Sequence, residues 1–217
     1  MGKHYREIWK TPVTTPPLQY REQGGGLTPI KIGGGKQTVS LRFKGENDVE
    51  YNLRSIKKYP RRALPEGFQQ TWINAIAADQ ISSAHPYGAL VIPPMAEALN
   101  IHHTHPLLCY APKDSLLGKF GERFSHMQAL FEIRPDEDLS EYKRFGHTEN
   151  AVGTAKMLEH LREDNDNTVD AELYLKARLF DMLIGDWDRH EDQWRWAEFE
   201  KEGKGRNLET WSQHHFE

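Results

Sequence analysis

Phe180-Asp181-Met182-Leu183-Ile184-Gly185-Asp186-Trp187-Asp188-Arg189-His190-Glu191-Asp192-Gln193 is the stretch on which the reading of this chain turns. Upstream of it Val169, Leu173, Ala177, Phe180 and Ile184 recur about every fourth residue, which predicts an amphipathic helix with Asn167 or Thr168 as its cap. Gly185 ends that helix. Past the glycine, carboxylates crowd around one imidazole and one guanidinium; such groups repel and desolvate one another unless a metal, a phosphate or water compensates. The plainer alternative is a solvated loop in which Arg189 pairs with its acidic neighbours. An EF-hand does not fit, because the sixth place of the loop is not glycine and the twelfth is Ala197.

The surrounding chain bounds what such a loop can belong to. Its 217 residues carry 28 Lys and Arg against 32 Asp and Glu, a net charge of −4, and this acidic balance argues against a mainly electrostatic nucleic-acid binder. Only 37% of residues are hydrophobic, yet six Trp, eight Tyr and nine Phe supply core-sized side chains, so a folded chain of one or two domains is expected. No apolar run approaches the roughly 20 residues of a membrane span, and no apolar segment of a secretory leader follows the first residues. A lone cysteine, Cys109, on an apolar strand reads as a buried structural thiol.

Residues 1–29, with Pro12, Pro16, Pro17, Pro29 and Gly24-Gly25-Gly26, read as an extended strap. From Ile30 to Lys58 three runs of alternating apolar residues, separated by Gly33-Gly34-Gly35 and Gly45-Glu46-Asn47-Asp48, predict three antiparallel strands. Pro65, Phe68, Trp72, Ala75, Ile76 and Asp79 predict a helix packed by its aromatic face and stopped at His85-Pro86. Leu107 to Ala111 and Met127 to Ile133 read as strands joined by a glycine-containing loop at Gly118 to Gly121. A polar stretch from Pro135 to Gly146 divides a β-rich region, residues 30–135, from a helical one, residues 136–217, in which Thr154 caps a helix through Leu161. Trp194 and Trp196 lie on an alternating strand as core residues, and the tail after Gly203-Lys204-Gly205 has no strong pattern.

The stretch from Phe180 to His190 resembles the catalytic loop of the atypical protein-kinase-like superfamily: phosphatidylinositol kinases, HipA-type kinases and Golgi casein kinases. The resemblance implies an α+β, two-lobed kinase-like fold with an antiparallel N-lobe sheet and a helical, truncated C-lobe. It also implies phosphoryl transfer dependent on ATP and on Mg²⁺ or Mn²⁺, to an unknown hydroxyl-bearing acceptor. Asp188 takes the place of the catalytic aspartate, with Arg189 beside it and His190 bracing the loop. Gln193 stands where many members carry a metal-holding Asn, and Asp186 is the second metal candidate. Independently, bare backbone at Gly33, Gly34 and Gly35 with Lys36 suits phosphates, and Lys57, on the strand face of Leu53 and Ser55, supplies a fixed ammonium. Asp79, rather than Glu66, would hold Lys57, and the main chain of Glu132 and Ile133 would form the hinge that meets adenine.

Such sites need a further metal-ligating aspartate beyond the hairpin, and no aspartate follows Asp192, so a C-terminally incomplete chain that binds nucleotide without turnover is expected. Gly33-Gly34-Gly35-Lys36-Gln37-Thr38, Leu53-Arg54-Ser55 and Leu183 to Trp196 also resemble a segment of long envelope-associated proteins of Bacteroidetes-type bacteria, which implies a periplasmic or envelope setting and an outer-membrane partner. Two rival readings remain. One is a metal-dependent hydrolase on Asp186, Asp188, His190 and the run His102-His103-Thr104-His105, although that run has no closed zinc spacing and reads more simply as a loop. The other is a non-catalytic interaction module of an envelope protein.

Overall fold

The computed structural model describes residues 3–34, 37–60, 64–136, 138–186, 189–201 and 205–212. In chain order it contains α1 (Arg6–Lys10), β1 (Leu27–Gly33), β2 (Ser40–Gly45), β3 (Glu50–Ser55), α2 (Trp72–Gln80), α3 (Ile92–Ala98), β4 (His102–His103), β5 (Leu107–Ala111), α4 (Gly121–Phe124) and β6 (Met127–Ile133). β7 (Ala151–Gly153), α5 (Thr154–Glu163), β8 (Thr168–Val169), α6 (Ala171–Ile184), β9 (Trp194–Glu200) and β10 (Arg206–Ser212) complete it. The chain is of mixed α and β structure, divided into two compact units: Met1–Leu90 with Pro106–Glu132, and Val91–His105 with Ile133–Phe216.

The first unit is built on a five-stranded antiparallel sheet of order β1-β2-β3-β6-β5. The three strands read from the alternation are β1, β2 and β3, with β1 beginning three residues early at Leu27. Leu41, Phe43, Tyr51 and Leu53 are buried, as are Ala129 and Phe131 of β6. Tyr51 stacks on Phe131 with centroids 5.2 Å apart. The β1–β2 hairpin needs glycine at Gly34: its φ is +110°, and a Cβ there would lie 2.7 Å from the carbonyl oxygen of Thr38. The N-terminal strap is more ordered than composition suggests. It opens with α1, then Leu18 and Tyr20 are buried, and Leu18 N–H donates to the Tyr110 carbonyl at 2.8 Å.

Two elements of this unit correct the sequence reading. The helix expected from Pro65 onward begins only at Trp72, capped by the Thr71 hydroxyl, and its aromatic face is not packed: Trp72 is 73% exposed, and Phe68 and Ile76 are exposed too. The connection between β5 and β6 is a 3₁₀ segment, Ser115–Phe120, running into α4, and it buries Leu117, Phe120 and Phe124.

The second unit is not simply helical. β10 runs antiparallel to β9 and parallel to both β4 and β8, and β9 pairs with β7, so a second five-stranded sheet stands at its centre. The tail read as patternless is therefore a strand in which Leu208 and Thr210 are buried and alternate with Asn207 and Glu209. Its core gathers Ile92, Ala96, Ile101, Val152, Met157, Ala177, Phe180, Trp194, Trp196 and Leu208. Residues 91–105 thus belong with this unit rather than with the β-rich region of residues 30–135. Asp170 caps α6 through its carboxylate on Leu173 N–H, displacing Asn167 and Thr168 from that role. Thr154 is the first residue of α5 instead of its cap, and its hydroxyl donates to the Glu191 carbonyl. No helix among the described residues is long and apolar enough to cross a membrane.

Candidate functional site

α6 delivers the loop. Leu173, Ala177 and Phe180 anchor its inner face in the core, and Gly185, at φ +75°, turns the chain out of the helix. The next amide, Asp186 N–H, donates to the Asp181 carbonyl at 2.9 Å. Trp187 and Asp188, the nominated catalytic aspartate, lie outside the described residues. The residues on either side of it form one buried polar knot.

Arg189 is the centre of that knot, its side chain fully buried. Its Nη2 donates to Asp181 Oδ1 at 3.1 Å and lies 3.2 Å from Asp186 Oδ2. The guanidinium also sits 4.9 Å from the Trp194 ring centroid. Burial lowers the pKa of Arg189 from its ordinary value, and Asp181 and Asp186 oppose that shift. Asp181 has a second partner, Arg178, whose Nη1 donates to Oδ2 at 2.9 Å. An unpaired buried ion is costly, so this arrangement is viable because each charge has a partner of opposite sign.

The knot reassigns several roles. His190 takes no part in the knot: its side chain is 55% exposed, with Asp192 3.9 Å away. Arg189 braces the loop, anchored on Asp181, a residue the sequence reading passed over. Asp186 was nominated for metal; it is buried and committed to Arg189. Gln193 is buried, and its Oε1 has no hydrogen-bond partner among the described residues. A spare hard oxygen is the donor type that Mg²⁺ or Mn²⁺ takes. Beside the loop, a groove of ≈ 490 Å³ is lined by Tyr174, Arg178, His190, Trp194 and Trp196 among others.

In the first unit, Gly33 and Gly34 form the start of the expected hairpin, and Gly35 and Lys36 lie outside the described residues. Lys57 does not end a strand. β3 stops at Ser55, whose Oγ donates to the Lys57 carbonyl and accepts from Val39 N–H, and Lys57 is exposed with its Nζ 5.7 Å from the Tyr59 ring centroid. Asp79 does not hold Lys57; it is paired with Arg6. The cation that does stand on β3 is half-buried Arg54, which lies across from Ser40. Arg42 and Asn52, paired with each other, share its sheet face, opposite the face of Leu41 and Leu53. Sequence parity could have found it: Lys57 shares a face with Leu53 and Ser55, which the fold buries. Glu132 and Ile133 end β6 and are buried.

The histidine run is structural. His102 Nε2 is 3.1 Å from Glu209 Oε2, and His103 bonds the Ile101 carbonyl through Nδ1 at 2.9 Å. Burial, the largest cause, holds the His103 pKa below its ordinary value. No group of three or more His, Cys, Asp or Glu able to hold a metal occurs among the described residues. Cys109 is buried, and burial pushes its thiol up to about 12. Compared with protein-family models, with curated proteins and with solved structures, the chain matches none.

Proposed function

We propose that this chain is a kinase-like, two-lobed phosphotransferase module that binds ATP with Mg²⁺ or Mn²⁺ and directs a hydroxyl-bearing acceptor to Asp188. The observation that carries the reading is the charge-compensated knot of Asp181, Asp186 and Arg189, which flanks Asp188 in the chain on both sides and stands near a buried Gln193 whose amide oxygen has no partner among the described residues. A loop that must present one carboxylate at a defined point needs such rigidity, because phosphoryl transfer is accelerated mainly by positioning and electrostatics. The sheet adds support: the glycine hairpin β1–β2, the strand β3 carrying Arg54 and the hinge candidate β6 are consecutive neighbours.

In this reading Gly33, Gly34, Gly35 and Lys36 approach the phosphates and Arg54 supplies the strand cation assigned from sequence to Lys57. Gln193 would help hold the divalent ion, which would neutralise phosphate charge. Asp188 would orient the acceptor hydroxyl and take its proton. The test is the melting temperature with and without ATP and Mg²⁺ or Mn²⁺, in the wild type and in Arg54→Met, Lys57→Ala and Gln193→Ala. Ligand at about 100 times its dissociation constant adds roughly 2.7 kcal/mol. A shift that survives Lys57→Ala and is lost in Arg54→Met is the expected result; no shift in the wild type overturns the proposal.

The second reading, an interaction module with an envelope or outer-membrane protein as partner, draws on two exposed apolar stripes. One is Phe68, Trp72 and Ile76; the other, on α6, is Leu175, Leu179, Met182 and Leu183. It predicts no nucleotide shift, and loss of a partner's binding on Leu179→Glu or Trp72→Glu.

A further inference from the structure

We infer that Asp181 is the positioning residue of the Asp188 loop, acting through Arg189; the functional part of this inference rests on the phosphotransferase reading above. Asp181 lies inside α6, seven residues before Asp188, and its side chain is 1% exposed. One carboxylate oxygen holds Arg189 and the other holds Arg178, while its main-chain carbonyl receives the Asp186 amide. It therefore grips the loop at Asp186 through the backbone and at Arg189 through the side chain, on both flanks of Trp187 and Asp188.

Arg189 completes the clamp. It reaches from Asp181 to Asp186, and its face meets Trp194, so the start of the loop, its second half and the first residue of β9 share one guanidinium. One position of α6 thereby holds both described flanks, Asp186 and Arg189. Removing the Asp181 charge leaves Arg189 buried with less compensation, and exchange of the amides around it reports the relief.

The experiment is hydrogen exchange of the amides in 186–193 on the full chain, in the wild type, Asp181→Asn, Arg189→Met and the double variant, each with a melting curve. The asparagine keeps the shape and removes the charge. Loop exchange about tenfold faster in Asp181→Asn, with the core amides of α6 and β9 unchanged, is expected. If Asp181 acts through Arg189, adding Asp181→Asn to Arg189→Met changes loop exchange little. Equal exchange in wild type and Asp181→Asn, or effects that add fully in the double variant, overturns the inference. Should Asp181→Asn not melt cooperatively, the double variant decides: regained cooperative melting supports the pairing and continued failure refutes it. An ATP and Mg²⁺ shift, measured in parallel, is expected in the wild type and lost in Asp181→Asn. Its absence from the wild type removes the phosphotransferase reading and leaves the exchange comparison to decide the clamp.

Discussion

Buried titratable side chains make this protein sensitive to pH at both ends of the scale. His103 favours its neutral form in the fold, so the stability it contributes is present above the ordinary histidine range and is lost as the pH falls through about 6.5. His103→Gln, which can still donate to the Ile101 carbonyl, is expected to flatten the loss of stability between pH 7 and 5, as measured by urea midpoints. At the alkaline end the sign reverses. Burial, the first cause for each, raises both the Cys109 thiol and the Tyr20 phenol, so their contribution is complete below about pH 9 and is lost as the pH rises towards 12. The Cys109 thiol should not react with a disulfide reagent at pH 8 until the chain is unfolded, when one thiol per chain should react. Its nature as a buried thiol was legible from the apolar strand around it. Asp181 was not, because an acid inside a helix reads as solvent-facing until the fold turns it towards two arginines.

Helices show where patterning succeeds and fails. α6 was legible because its inward residues bind it to the core, and Phe180→Ala should cost about 3–5 kcal/mol by chemical denaturation. α2 has similar spacing, yet it buries no residue; Trp72→Gln should change stability by no more than about 0.5 kcal/mol. Periodicity records which residues share a face and is silent on whether anything covers that face. Strand parity has the matching weakness at an end. Alternation was carried on to Lys57, whereas the ladder stops at Ser55, where the hydroxyl bonds the Lys57 carbonyl and turns the chain away. The strand cation is then Arg54, three residues earlier and inside β3. The glycine turn held because its backbone requires it, and Gly34→Ala should cost more than about 1 kcal/mol. β10 went unread because its alternation of Leu208 and Thr210 includes a threonine that burial treats as core.

The whole molecule is divided in a way that linear composition does not reveal. The polar stretch beginning at Pro135 lies close to the change of unit at Ile133, but Val91–His105 also belongs to the second unit, which receives Ile92, Ala96 and Ile101 in its core and β4 in its sheet. A fragment of residues 133–217 should therefore fail to melt cooperatively by circular dichroism, and a peptide of residues 91–105 added in trans should restore a transition. Cooperative melting of the fragment alone would show those core residues to be dispensable.

That insertion also sets a clock. His102 and His103 leave the ribosome long before their parallel partners Trp211 and Ser212. At roughly 5–20 residues per second, the interval is on the order of ten seconds. Throughout it the backbone of β4 is an unpaired edge, and the apolar residues of α3 beside it have no finished core to enter. The second unit's sheet is thus completed late, with β10 closing over a segment made about a hundred residues earlier. An unpaired edge is a template for pairing with another chain, so the hazard of misassembly lasts as long as that wait.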